Sequence, residues 1–554
     1  MRSLSLLVVA IAPTVNAFID RVNHTSQIRL AFHGNDGMMV SWNTFERVDK
    51  PMVRWGLTEG NLNETSQSTI SVTYPTSTTY NNHVLVTGLK PGTTYFYQPS
   101  PLLNTANKKP FNFTTSRKSG DTRPLTIAYV ADLGTMGARG LTTNASSSVA
   151  PNNILKPGEQ NTIESLAAMQ SGYDFLWHSG DIAYADYWLK EEIQGFLENT
   201  TIADGYKVYE AILNDFYDEM MSVTAYKPWM VGPGNHEANC DNGGTTDKTH
   251  NITYDVSICM PGQTNFTGYK NHFRMPSDAS GGTGNFWYSW DSGLAHFIQI
   301  DTETDLGHGF IGNDEIGGIE GEGASPVNAT MNAQTAWLEA DLAAVDRSKT
   351  PWVIVAGHRP WYLSHKNDSG TICWTCKDVF EPLLTKYNVD LVLSGHSHVY
   401  ERQSPLGFEK QDPNGLNNPS FPWYITNGAA GHYDGLDSLD SPRKPYSRFG
   451  LDTKDGVYGW SRLTFHNCTH LTHEYIASNN NSAVDAATLF KARTCTGVNG
   501  TIPGQNTNST SPVHLSATGT GLPGSMTSNP TSSAAVFGVS SAFAMLVAAL
   551  QLLF

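Results

Sequence analysis

Past Arg493 the sequence contains no Lys, Arg, Asp or Glu, although the chain runs on to Phe554. Residues 496–533 are instead rich in Ser, Thr, Gly and Pro, a composition that cannot bury enough apolar surface to fold and reads as an extended, O-glycosylated stalk. No basic stop-transfer cluster follows the apolar tail at 534–554, and small residues between Gly519 and Ser525 lie a polar spacer upstream of it. That pattern is expected of a GPI-anchor signal, removed on attachment, rather than of a spanning helix. Basic clusters are missing from the rest of the chain as well, and the formal net charge is -16. Phosphate-backbone binding needs concentrated Lys and Arg, so nucleic acid is excluded as the main partner. If the substrate is anionic, a bound metal must supply the positive charge. No internal repeat is visible.

Cysteine is scarce but even in number: Cys240, Cys259, Cys373, Cys376, Cys468 and Cys495. Pairing of neighbours in sequence is expected, Cys240 with Cys259, Cys373 with Cys376 and Cys468 with Cys495, in a compartment where disulfides persist. The Cys373-Trp374-Thr375-Cys376 spacing also occurs in redox dithiols, but no thioredoxin-like context surrounds it. Residues 1–17 combine Met1-Arg2, a short apolar run and a small-residue site ending at Ala17, which reads as a secretory signal peptide with the mature chain starting near Phe18. About thirteen Asn-x-Ser/Thr sequons, those at Asn63, Asn112, Asn199, Asn328 and Asn467 among them, fit the same route to the cell surface.

The length implies more than one domain. Within 18–120, short alternating runs at 28–32, 38–42, 52–55, 68–74, 83–89 and 94–98 are separated by Gly, Asn, Pro and Asp turns. A β-sandwich of fibronectin type III kind is expected there. From 121 to 480 strands alternate with helical stretches at 159–170, 206–221, 334–345 and 375–387, which implies an α/β core of layered sheets. The segments 307–323 and 404–419 read as surface loops, and 456–480 as a closing β-hairpin over the core.

Five apolar runs inside this second region end in the same way. They run into Asp132-Leu133-Gly134, Gly180-Asp181-Ile182-Ala183-Tyr184, Gly234-Asn235-His236-Glu237, Gly357-His358 and Gly395-His396-Ser397-His398. Each puts Gly near a metal-ligand type just past the carboxyl end of a strand, where open α/β sheets assemble their sites. His396 and His398, two apart in an extended segment, project to one face. Carboxylates, an amide, imidazoles and a phenol are too many donors for one ion of four to six ligands. They suit a hard trivalent ion beside a softer divalent one.

In this order and behind a sandwich module, the five blocks DLG, GDIAY, GNHE, VAGH and GHSH resemble the purple acid phosphatases of the metallophosphoesterase superfamily over roughly residues 28–478. The resemblance implies Fe(III) on Asp132, Tyr184 and His398, a bridging Asp181, and a divalent iron, zinc or manganese on Asn235, His358 and His396. It further implies that His236, with Asn235, meets the phosphate, that His236 and His365 are the candidate general acids, and that Glu237 stands behind the ligands. Two metals would then make hydroxide available in acid solution for in-line attack on a phosphate monoester. His272, His296 and His432 read as structural histidines, the last within a GAAGH block at the rim, and Trp287 and Trp290 as packing residues.

The function expected is therefore an extracellular acid phosphatase scavenging phosphate from small monoesters. A phosphodiesterase or nucleotide pyrophosphatase on the same scaffold is the alternative. A wall-associated adhesion protein with a vestigial site is the reading from another class, and no proposed ligand is missing in its favour.

Overall fold

The computed structural model describes residues 25–100, 109–134, 155–156, 158–188, 202–240, 246–247, 252–253, 259–304, 333–365, 371–431 and 435–494. The leader, the stalk, the tail, the loop at 307–323, His432 and the sequons at Asn199 and Asn328 lie outside them.

Eight strands make the first module: β1 (Ser26–Phe32), β2 (Met38–Thr44), β3 (Met52–Gly56), β4 (Glu64–Gln67), β5 (Ile70–Val72), β6 (Tyr80–Val86), β7 (Thr94–Ser100) and β8 (Phe111–Thr114). They form two four-stranded antiparallel sheets, ordered β1-β2-β6-β5 and β4-β3-β7-β8. Alternate residues such as Tyr95 and Tyr97 turn inward onto Phe113, as a half-buried strand requires. The expected strand at 68–74 shrinks to the three residues of β5, and β4 was not foreseen.

The second module is two facing sheets. In the first, β9 (Leu125–Val130), β10 (Phe175–Ser179) and β11 (Trp229–Gly232) are parallel, with Phe175 level with Ile127 and Leu176 level with Trp229. A short pair, β12 (Thr246–Asp247) and β13 (Ile252–Thr253), stands apart from it. In the second, β14 (Tyr288–Ser292) leads antiparallel into β15 (Ala295–Gln299), and β15, β16 (Trp352–Ala356), β17 (Leu391–Ser394) and β20 (Trp423–Asn427) are parallel. β18 (Tyr400–Gly407) pairs with β20, β19 (Lys410–Gln411) and β21 (Ser447–Leu451). Continuous apolar runs such as Trp352–Ala356 are buried along their whole length, as parallel strands covered on both faces must be. Between the sheets Trp177 meets Trp290 at 5.1 Å and Phe297 at 5.7 Å, edge to face.

Six helices flank the sheets among the described residues: α1 (Thr162–Ala168), α2 (Gly205–Thr224), α3 (Thr267–His272), α4 (Ser277–Ser280), α5 (Ala333–Ala344) and α6 (Trp374–Lys386). α1 starts later than its sequence pattern suggests because Asn161 caps it. The Asn161 side chain accepts from Glu164 N at 2.9 Å and Glu164 returns the bond at 3.0 Å. α2 buries Tyr209, Ile212, Leu213, Phe216, Tyr217, Met220 and Val223, a helical stripe, and packs it against β1, where Thr224 Oγ1 donates to Ile28 O. Arg29 of β1 is buried and donates to His272 O, Asn43 and Asn81, so the sandwich and the second module share a polar seam.

Two expectations need correction. The closing hairpin is part of the first sheet: β22 (Gly459–Phe465) pairs antiparallel with β9 and is followed by β23 (His470–Ala477) and an unforeseen β24 (Ser482–Phe490). Residues 404–407 are strand rather than loop, because Pro405 sits at a register shift between β18 and β20, where its missing N–H breaks no ladder. Disulfides join Cys240 to Cys259 and Cys373 to Cys376. Cys468 is also disulfide-bonded, and its expected partner Cys495 lies outside the described residues.

Candidate metal centre

The five blocks converge at one end of the parallel strands. Asp132 follows β9, Asp181 and Tyr184 follow β10, Asn235 and His236 follow β11, His358 follows β16, and His396 and His398 follow β17. Four of these residues stand in the left-handed backbone region: Asp132 at φ 60°, Asp181 at 50°, Tyr184 at 53° and His396 at 67°. Non-glycine residues adopt that conformation at a cost of about 1 to 3 kcal/mol each, so the surrounding structure must impose it. Here the turn points each side chain back over the strand ends. Glycines let the turns approach one another: a Cβ on Gly395 would lie 2.3 Å from Asp132 Oδ2, and one on Gly234 would lie 2.2 Å from Asp181 Oδ1.

Two clusters share Asp181. In the first, the Tyr184 hydroxyl is 2.8 Å from Asp132 Oδ1, 3.1 Å from Asp181 Oδ2 and 2.9 Å from His398 Nε2. In the second, His358 Nε2 is 3.0 Å from Asp181 Oδ2, 3.0 Å from Asn235 Oδ1 and 3.2 Å from His396 Nδ1. His358 Nδ1 is 3.0 Å from the Ser179 carbonyl and donates to it, which turns Nε2 toward the other three donors. A carboxylate oxygen, an amide oxygen and two imidazole nitrogens thus crowd lone pairs together around a point that a cation suits. The donor set fits two ions, and Asp181, His358 and His396 alone offer a set of metal-ligand spacing.

The charges agree with this. Burial works against charge on His358, but the carboxylates of Asp181 and Asp132 prevail and hold its pKa up at about 10, a local field that favours positive charge. Burial would raise Asp181, yet His358 and His236 together keep it well below the usual carboxylate range. Burial raises Asp132. Tyr184 is pushed well above an ordinary phenol by burial first and by Asp132 and Asp181 next, and a cation beside it would reverse the second influence.

Behind the ligands lies a framework. Glu237 Oε2 accepts from Asp181 N at 2.9 Å and Gly234 N at 2.8 Å, and Oε1 accepts from Ile182 N at 2.8 Å, tying the loops after β10 and β11 together. Burial and then Asp181 push its carboxyl up to about 8 against the pull of those N–H groups. The His236 ring lies 4.3 Å from that of Tyr184 at a tilt of 42°, its Nε2 is 3.8 Å from Asp181 Oδ2, and its Nδ1 is 2.6 Å from Asp186 Oδ2. His365 lies farther out, its Nε2 3.7 Å from Asp437 Oδ2. Asp186, Asp437 and the buried Arg359–Glu303 pair, whose guanidinium reaches His396 Nε2 at 3.2 Å, were not found from sequence. Asp186 and Arg359 adjoin ligand blocks and carried that signal, whereas nothing marked Asp437.

His296 is structural, as expected, held between Asp291 at 2.7 Å and Asp341 at 2.9 Å. It lines a cavity of about 810 Å³ at the amino-terminal end of β15, away from the ligands.

Comparison with known proteins bears on this geometry. The family described as calcineurin-like phosphoesterase matches residues 125–400, the purple acid phosphatase N-terminal domain matches 25–115, and the iron/zinc purple acid phosphatase-like protein C family matches 421–486. Acid phosphatase A of Cryphonectria parasitica is 37% identical over 84% of this chain and 92% of its own length. An acid phosphatase of Aspergillus ficuum is 32% identical over 82% of this chain and 85% of its own. Among solved structures, a purple acid phosphatase from yellow lupin seeds matches 87% of this chain and 78% of its own, with TM-score 0.61 at 20% identity, a likeness of fold.

Proposed function

The chain belongs to the purple acid phosphatase family, and from that premise we propose that it hydrolyses phosphate monoesters in acid solution, with Fe(III) on Asp132, Asp181, Tyr184 and His398 and divalent iron, zinc or manganese on Asp181, Asn235, His358 and His396. The observation that carries this reading is the Tyr184 hydroxyl, set 2.8 to 3.1 Å from two carboxylates and His398 Nε2. When bound, the ions supply Lewis acidity toward phosphate oxygens and bring the pKa of water into the working range.

The chain's own groups do the rest. Asp132, Asp181 and His358 are buried, which keeps bulk water from weakening their charges. Asp186 accepts the Nδ1 proton of His236 and so leaves Nε2 facing Asp181 Oδ2, on the side where His236 meets the phosphate with Asn235. His365 gives its proton to the departing ester oxygen. The leader-like start, the sequons and the anchor-like tail support a protein secreted to the cell surface and held by a GPI anchor, where it scavenges phosphate. Asn63 and Asn467 are both exposed, as glycosylation requires.

Turnover of an aryl phosphate against a bis-aryl phosphate tests the reaction. Preference for the monoester is expected, and strong preference for the diester would overturn the assignment. Release of the protein from membranes by phosphatidylinositol-specific phospholipase tests the anchor.

A further inference from the structure

Asp437 belongs to none of the five ligand blocks, yet it touches two of the loops that carry them. Its Oδ2 accepts from His398 N at 2.9 Å and from Ser397 Oγ at 3.4 Å. Its own N–H donates to His398 O at 3.0 Å, so the two residues clasp each other in both directions. The same Oδ2 lies 3.7 Å from His365 Nε2, within ion-pair reach and beyond a direct hydrogen bond. The other ring nitrogen, His365 Nδ1, is 3.4 Å from Thr371 Oγ1.

The backbone beyond Asp437 is built to keep this arrangement. Leu439 forms an antiparallel bridge with His365, Asp440 N donates to Ser364 O at 2.7 Å, and Lys444 N donates to Ser364 Oγ at 2.9 Å. Thr453 N in turn donates to Asp437 O at 2.8 Å. Ser364 N is bound from the other side by the buried Glu401, at 2.8 Å. One short segment therefore fixes Ser364 and His365 on one flank and His398 on the other. Its carboxylate stands between the two imidazole-bearing residues.

We infer that Asp437 is a positioning residue for proton donation: it sets the distance and direction of His365 relative to the loop that carries His398. The inference rests on the reading of His365 as general acid given above. In the step concerned, a water oxygen bonds to phosphorus and the P–O bond to the alcohol breaks, its electron pair going to the alcohol oxygen. The His365 imidazole delivers a proton to that oxygen, and the proton lost by the water returns to the imidazole through solvent. Products are the alcohol and inorganic phosphate, with no other reactant. Asp437 touches neither reacting oxygen and acts through His365.

Proton donation matters most where the leaving alcohol is a poor one, and that gives a test which general damage cannot imitate. The full-length, metal-loaded glycoprotein is assayed with a series of aryl phosphates of rising leaving-group pKa and with an alkyl phosphate, and kcat and KM are recorded separately. Wild type, Asp437→Asn, Asp437→Glu and His365→Ala are compared, with metal content and thermal midpoint as controls. Asp437→Asn is expected to keep kcat on the most activated ester within about twofold and to lose on the order of 10- to 100-fold on the alkyl ester, at little change in KM. His365→Ala should show the same steepening more strongly, and Asp437→Glu, which retains the charge, should fall between wild type and Asp437→Asn. Equal losses on every ester, or none, in Asp437→Asn while His365→Ala steepens would overturn the role of Asp437 alone. A flat response in His365→Ala would overturn both, and would locate the error in the reading of His365. If Asp437→Asn does not fold, the same slope read from Asp437→Glu decides: wild-type dependence would overturn the inference, and an increased slope would support it.

Discussion

Replacing Glu237 by Gln should loosen the metals without emptying the core. The carboxylate takes three backbone N–H groups, from Asp181 and Gly234 on one oxygen and from Ile182 on the other, at 2.8 to 2.9 Å. Gln keeps the volume but has only one acceptor atom, so its amide N–H must face at least one of those N–H groups. A buried donor left without a partner costs about 1 to 3 kcal/mol. That cost falls on the two turns that carry Asp181 and Asn235, since Glu237 joins them, and Asp181 is the residue shared by both proposed ions. Loss of support behind a ligand usually weakens metal affinity by about 10- to 100-fold, which corresponds to about 1.4 to 2.8 kcal/mol and so agrees with the hydrogen-bond figure. The assay is dialysis of wild type and Glu237→Gln against graded chelator at a pH above the carboxyl's pKa of about 8, where Glu237 is ionised, followed by metal analysis and phosphatase activity. Half-loss of metal is expected at about 10- to 100-fold lower chelator in the variant. Retention of both metals at wild-type chelator levels would refute the claim that Glu237 couples the two turns.

Three other outcomes follow from named contacts. His296 is buried between Asp291 and Asp341 and its pKa is raised to about 9, burial opposing and the two carboxylates outweighing it. A raised pKa stabilises the fold fully below the unfolded value and is lost as pH rises through about 9. His296→Gln should therefore be destabilised by about 3 to 4 kcal/mol near pH 5, converging on wild type near pH 10; a pH-independent gap in thermal midpoint would contradict this. Glu210 is raised by burial and accepts from Tyr74 and Thr76 at the seam between modules. Its contribution is present at acid pH and lost as pH rises from the ordinary glutamate range through its raised folded value, so Glu210→Gln should flatten the decline of thermal midpoint over that range. Gly395→Ala would drive a methyl to 2.3 Å from both Ala131 Cβ and Asp132 Oδ2, and should lose both metal and activity, checked by metal analysis of the folded variant.

Much of the site was legible because its chemistry is local in sequence. Gly180, Gly234 and Gly395 mark turns where two loops touch, and a ligand type follows each one directly, so a block such as Gly180-Asp181-Ile182-Ala183-Tyr184 announces both the turn and its purpose. Asp437 gave no such sign. Its partners His365 and His398 are brought to it by sheet pairing across the chain, and a lone Asp in a polar stretch has no period or spacing to read. The apolar runs at 352–356 and 229–231 were recognisable as buried strands, whereas β24, with Val484 exposed and Asp485 pairing with Arg402, has too little apolar alternation to stand out. The closing hairpin was seen but not its place, since pairing between β22 and β9 joins residues more than 330 positions apart. A loop was expected at 404–419, and the register shift that accommodates Pro405 in β18 is visible only in three dimensions.

The central claim is that Tyr184 belongs to an iron site, and the visible absorption spectrum of the protein purified without reductant or chelator tests it most directly. A broad charge-transfer band giving a purple or pink colour, present in wild type and absent from Tyr184→Phe at equal iron content, is the predicted result. A colourless wild-type protein carrying two bound metals, or a band that survives Tyr184→Phe, would contradict it.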